Sequence, residues 1–80
     1  MLFRSDFVNL TCSAGGSPLP HVTWFKDRQH VLPSVEHHGK DIIKSELVIH
    51  HFKPSDTGVY TCLFHNDKNG TAEASTNLSM

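Results

Sequence analysis

Asp56-Thr57-Gly58-Val59-Tyr60-Thr61-Cys62 ends on the second of only two cysteines in a chain of 80 residues. The first, Cys12, lies fifty positions earlier, and the single tryptophan, Trp24, follows it by twelve. From Gly58 onward the run reads as an extended strand. Successive side chains of a strand point to opposite faces, so Tyr60, Cys62 and Phe64 share the inward face while Val59, Thr61 and Leu63 share the other.

The same period of two recurs on either side of this run. Phe7 to Cys12 turns Val8, Leu10 and Cys12 one way and Asn9 and Thr11 the other. The breakers Ala14-Gly15-Gly16-Ser17-Pro18-Leu19-Pro20 then form a loop before His21 to Lys26, where Val22 and Trp24 face inward and Thr23 and Phe25 outward. Asp27-Arg28-Gln29-His30 reads as a polar turn. Val31 and Leu32 form a short strand stopped by Pro33, and Val35 to His38 another, stopped by Gly39-Lys40-Asp41. Ile43 to Ile49 directs Ile43, Ser45, Leu47 and Ile49 inward, and Phe52 anchors a turn through Lys53-Pro54-Ser55-Asp56. Asn66-Asp67-Lys68-Asn69-Gly70 closes a hairpin with Asn-Gly supplying positive φ values. Thr71 to Met80 directs Ala72, Ala74, Thr76, Leu78 and Met80 inward. Helical periodicity is absent, so the fold class is all-β, and 80 residues make one domain, residues 1–80.

Five segments carry a family resemblance: Leu10-Thr11-Cys12, Pro18 to Asp27 with Trp24 at its centre, Ser45-Glu46-Leu47-Val48-Ile49, Asp56 to Cys62, and Gly70-Thr71-Ala72-Glu73-Ala74. On these residues the sequence resembles the immunoglobulin domains of the intermediate (I) set. Such domains occur in cell-adhesion molecules, receptor ectodomains, neuregulin-type ligands and, inside cells, titin-like muscle proteins. The resemblance implies a two-sheet sandwich with Greek-key connections, bridged by a Cys12–Cys62 disulfide against which Trp24 packs. In the chain-entropy model such a bridge is worth roughly 4 kcal/mol. Leu10 and Leu47 join the implied core. The Tyr60 hydroxyl is expected on the backbone of the Pro54 to Asp56 turn, Asp56 on local amides or a nearby cation, and Gly58 where a side chain would clash.

One departure from the family pattern concerns the opening strand. Only six residues precede Phe7, so strand A and its continuation A′ are expected to be truncated in this stretch of sequence. An edge left unpaired predicts reduced stability or self-association. The domain is expected to be a fragment of a larger multidomain chain.

Seven Lys plus Arg against eight Asp plus Glu give a net charge of −1. With no basic block to meet phosphates, nucleic acid is not expected as a partner and acidic membrane surfaces are poor candidates. No apolar run is long enough for membrane insertion, and the first six residues are too short and polar for a secretory signal, which would lie upstream.

Three of the four asparagines begin glycosylation sequons: Asn9-Leu10-Thr11, Asn69-Gly70-Thr71 and Asn77-Leu78-Ser79. Alternation places Asn9 and Asn77 outward and Asn69 in an exposed turn, where a glycan fits. These sites point to a secreted or cell-surface protein. The rival is an intracellular, sarcomeric domain of the titin-like kind, whose cysteines would stay reduced.

Seven histidines include the pairs His37-His38 and His50-His51. Neighbours on a strand face opposite ways, and the turn at Gly39-Lys40-Asp41 sets the pairs at opposite ends of one strand, roughly 30 to 40 Å apart. No metal site is expected, and no cofactor. Nor is an enzyme: Ser, His and Asp form no recognisable constellation, and both cysteines are committed to the fold.

The outward residues of the last strands nominate a binding face. Phe25 and Leu63 form an apolar patch rimmed by Lys26, Asp27 and His65, as interface anchors often are. Two readings follow, a non-catalytic extracellular module that recognises a protein partner and a structural or mechanical spacer with an inert surface.

Overall fold

In the computed structural model, which describes residues 2–68 and 70–80, each alternating stretch of the sequence is a strand. In chain order these are β1 (Val8–Gly15), β2 (His21–Lys26), β3 (Gln29–Val31), β4 (Val35–His38), β5 (Ile42–Ile49), β6 (Gly58–Asn66) and β7 (Gly70–Leu78), with a single 3-10 turn at Pro54–Asp56 before β6. They build two antiparallel sheets, β1-β5-β4 and β3-β2-β6-β7. The chain changes sheet after β1, after β3 and after β5, so the two layers are woven together and their inner faces form one core.

The bridge from Cys12 to Cys62 joins β1 to β6 across the layers, with Cα atoms 6.6 Å apart. Trp24 stands opposite Cys62 in the β2–β6 ladder and is buried together with Leu47 and Tyr60. Ser45 is also inward, and it is fully buried at 0% exposure. A hydroxyl at that depth needs a partner, and the Trp24 indole N–H donates to the Ser45 Oγ at 2.8 Å. One bond thus satisfies a buried donor and a buried acceptor from opposite sheets.

Leu10 packs against this core but is only half-buried, because β1 is an edge of its sheet. No strand precedes Val8 among the described residues. The segment before it folds across one end of the sandwich instead. The Leu2 amide donates to the Ser79 carbonyl at 3.1 Å, and Phe52, wholly buried, exchanges backbone bonds with Ser5 and Asp6 at 2.6 and 2.9 Å.

Four expectations are corrected. β1 continues past Cys12 to Gly15, because Ser13, Ala14 and Gly15 find partners in Lys44, Ile43 and Ile42. The turn after β2 contains only Asp27 and Arg28, both left-handed (φ 49° and 71°), with Lys26 opposite Gln29. That is the geometry whose twist suits a two-residue hairpin, so Gln29 and His30 are strand and Leu32 lies outside it, 77% exposed. The residues expected inward on the last strand, Ala72, Ala74 and Thr76, are exposed, as is Met80. The three-stranded sheet ends at β1 and does not reach over β7. Finally, His38 stands opposite Ile43, which brings the two histidine pairs to about 25 Å of each other along β5 rather than 30 to 40 Å.

Candidate recognition face

Strand parity fixes what the outer face of the four-stranded sheet presents. Its rows, read from the register, are His30–Phe25–Thr61–Ser75, Thr23–Leu63–Glu73, His21–His65–Thr71 and Val59–Asn77. Phe25 and Leu63 occupy adjacent strands one row apart, the diagonal relation across which large side chains interact. Both are half-buried. The Phe25 ring meets His30 nearly edge-on, with centroids 6.0 Å apart and planes at 66°. Beside it lies a shallow depression of about 320 Å3 lined by Phe25, Arg28, Thr61 and Glu73. Its two charges are of opposite sign.

His65 closes one end of the face. Its Nδ1 lies 3.1 Å from the Thr71 Oγ1 and its Nε2 2.9 Å from an Asp67 carboxylate oxygen, so the ring is held between the hairpin and β7. Two rows from it, Thr61 and Ser75 share a hydroxyl bond of 2.9 Å.

Two residues expected on the rim do not belong there. Lys26 has the inward parity of Trp24, and its ammonium reaches under the sheet to the Ser55 carbonyl. Asp27 points back at β6, where its carboxylate accepts the Val59 amide at 2.9 Å. Arg28, one residue further on, takes the place they left. The sequence hides this because a two-residue turn and a four-residue turn place Arg28 on different faces.

The framework beneath the face is built from the run Asp56 to Cys62 and the turn before it. The Tyr60 hydroxyl donates to the Asp56 carbonyl at 2.5 Å. Burial, and next the negative charges of Asp56 and Asp27, raise its pKa above the ordinary phenol value. Asp56 accepts the Lys53 amide at 3.1 Å, and the Lys53 ammonium stands 3.7 Å from the same carboxylate. A Cβ on Gly58 would meet the Asp27 Oδ2 at 2.5 Å.

Of the sequon asparagines, Asn9 is exposed on the outer face of β1, and the Thr11 hydroxyl donates to its side-chain oxygen at 3.4 Å. Asn77 is exposed on β7 opposite Val59. Asn69 lies outside the described residues. Among the described residues no three His, Cys, Asp or Glu side chains are grouped to hold a metal ion, and no helix is long and apolar enough to cross a membrane.

A family model described as an immunoglobulin domain matches residues 2–66. Among curated proteins, the chain is 41% identical over 59 residues to hemicentin-1 of Homo sapiens, covering 74% of this chain and 1% of that protein. It is 35% identical over 71 residues to a titin homolog of Caenorhabditis elegans, covering 84% of this chain and 0% of that one to the nearest per cent. The chain thus spans a very small part of these relatives. Among solved structures, a complex of Dpr2 Ig1-Ig2 with DIP-Theta Ig1-Ig3 superimposes with a TM-score of 0.82 at 20% identity, over 95% of this chain and 27% of that one.

Proposed function

The chain belongs to the immunoglobulin domain family, whose members serve as protein-binding or structural modules, and on that premise we propose that it is a non-catalytic recognition module. It contacts a protein partner through the outer face of β3-β2-β6-β7, in a secreted or cell-surface setting and as one unit of a longer chain. The observation that carries this is the diagonal pairing of Phe25 with Leu63 beside Arg28 and Glu73. Aromatic and arginine side chains set among polar neighbours are where interfaces concentrate their binding energy.

Several facts support the reading. The fold is shared with domains in a solved protein–protein complex. The bridged cysteines suit an oxidising compartment, and the two sequon asparagines that are described face solvent. The partner is a folded protein rather than nucleic acid, because a net charge of −1 offers no field for phosphates.

The test is a screen of the multimerised domain against cell-surface and matrix ectodomains. A saturable binder supports the proposal. Absence of any binder across the panel favours the alternative, a structural spacer with an inert surface.

A further inference from the structure

Asn9 and Asn77 share an arrangement that their sequons alone do not reveal. Asn9 stands directly opposite Val48 on the outer face of one sheet, and Asn77 directly opposite Val59 on the outer face of the other. Side chains so placed have Cβ atoms about 4.5–5.5 Å apart and interact. The two valines differ in what already covers them. Val48 is half-buried, whereas Val59 is 43% exposed. Because β6 has a neighbour on each side, this exposure belongs to the face of the sheet and not to an unpaired edge.

Val59 also opens onto a depression of about 390 Å3, which it lines together with Asp27, Arg28 and Thr61. The lining is mixed: a branched apolar side chain, a carboxylate, a guanidinium and a hydroxyl. A sugar ring carries the same mixture, with C–H groups on its faces and hydroxyls around its edge. Arg28 and Thr61 also line the depression beside Phe25, so the two hollows are neighbours. Val59 belongs to one of them, Phe25 and Glu73 to the other.

We propose that Val59 and this depression hold the first N-acetylglucosamine of a glycan on Asn77, which closes that corner of the outer face and leaves the rows of Phe25 and Leu63 to the protein partner. The proposal rests on the secreted setting, where the sugar is transferred: the Asn77 Nδ2 displaces a polyprenyl diphosphate from C1 of the sugar and gives up one proton. The tether decides the occupant. Any other molecule must arrive from solution, whereas a sugar bonded to Asn77 begins one side chain away from Val59. Its apolar face covers the valine methyls, which removes them from water. Asp27 accepts and Arg28 donates at its hydroxyls. Arg28 then stands between the sugar and the partner, lining the site of each.

Thermal melts of four proteins from a secretory host, each trimmed to the first N-acetylglucosamine of its glycans, test this: the wild type, Asn77→Gln, Val59→Thr and the double mutant. The wild type is expected to melt about 2 to 8 °C above Asn77→Gln, and the gap is expected to vanish in the Val59→Thr background. Val59→Thr keeps the shape of the side chain and both backbone bonds to Asp27. The same four proteins made without glycans are expected to show no gap in either background, which separates the sugar from the asparagine. Asn9→Gln is expected to leave the coupling unchanged. In the trimmed wild type, nuclear Overhauser contacts are expected between the Val59 methyls and the ring protons of the Asn77 sugar. No gap, a gap that survives Val59→Thr, or absence of those contacts overturns the proposal and leaves the secreted setting standing, as does a glycan on Asn9 with none on Asn77. A chain unmodified at every sequon overturns both.

Discussion

Asp27 and Val59 hold each other twice: the Val59 amide donates to the Asp27 carboxylate at 2.9 Å, and the Asp27 amide donates to the Val59 carbonyl at 2.8 Å. The pair ties the β2–β3 turn to the first residues of β6, and it does so across the edge of the proposed recognition face. Gly58 is there because the Asp27 carboxylate occupies the space a side chain would fill.

Substitutions at these two positions should be coupled. Gly58→Ala is expected to cost about 1–3 kcal/mol through the clash, and Asp27→Ala about 1–2 kcal/mol through the lost charge-assisted bond. With the carboxylate gone the added methyl has room, so the double mutant should be more stable than the sum of the single losses implies. Urea denaturation of the four proteins measures the difference; strict additivity would show that the carboxylate is not what excludes the methyl.

Arg28 holds a left-handed conformation that costs a side-chain-bearing residue about 1–2 kcal/mol, partly offset in glycine by a chain entropy of about 0.5–1 kcal/mol. Arg28→Gly is therefore expected to stabilise the fold by about 0.5 kcal/mol while weakening partner binding, since the guanidinium lines the depression beside Phe25. Melting temperature and affinity moving in opposite directions is the signature. If both rise together, Arg28 is no part of the contact.

Tyr60 is the only tyrosine, so its ionisation can be followed directly by absorbance. Its pKa is raised by burial and by Asp56 and Asp27, so the folded chain holds the phenolic proton longer than the unfolded one. That contribution is complete below about pH 10, the ordinary value, and is lost as the pH climbs through the folded value. Tyr60→Phe should cost about 0.5–1.5 kcal/mol at neutral pH, from the bond to the Asp56 carbonyl. It should also flatten the alkaline loss of stability. Parallel stability–pH curves for the two proteins would exclude this role for the hydroxyl.

Made in a secretory host, the protein should lose mass on glycosidase treatment, with Asn9→Gln and Asn77→Gln each removing one glycan, and should show no free thiol. Intact mass spectrometry decides it. An unmodified mass with two reactive thiols would place the domain with the intracellular reading instead.

The parity of the strands was legible in the sequence because each inward residue sits two positions from the next, from Tyr60 to Cys62 and from Ser45 to Leu47. What parity does not show is the length of the turn after β2. Asp27 and Arg28 adopt positive φ without a glycine, so nothing in the residue types announces a two-residue hairpin or brings Arg28 to the rim of the face, whereas the period of two that turns Trp24 inward already turns Lys26 inward with it. Nor does alternation report coverage. Ala72 and Ala74 have the inward parity of a core strand, yet burial depends on what stands opposite, and the β1-β5-β4 sheet stops short of them. The position of Ser45 alone makes it inward, but its partner there, the Trp24 indole, comes from the other sheet.

The recognition face is the central claim, and Phe25 and Leu63 are its centre. The most direct measurement is the affinity of the folded Phe25→Ala, Leu63→Ala double mutant for a binder recovered with the wild type, beside a Val35→Ala control on the opposite sheet. A loss of about 2 kcal/mol or more, roughly 30-fold in Kd, is predicted for the double mutant, and no change for the control. Equal affinity of all three proteins would contradict the account.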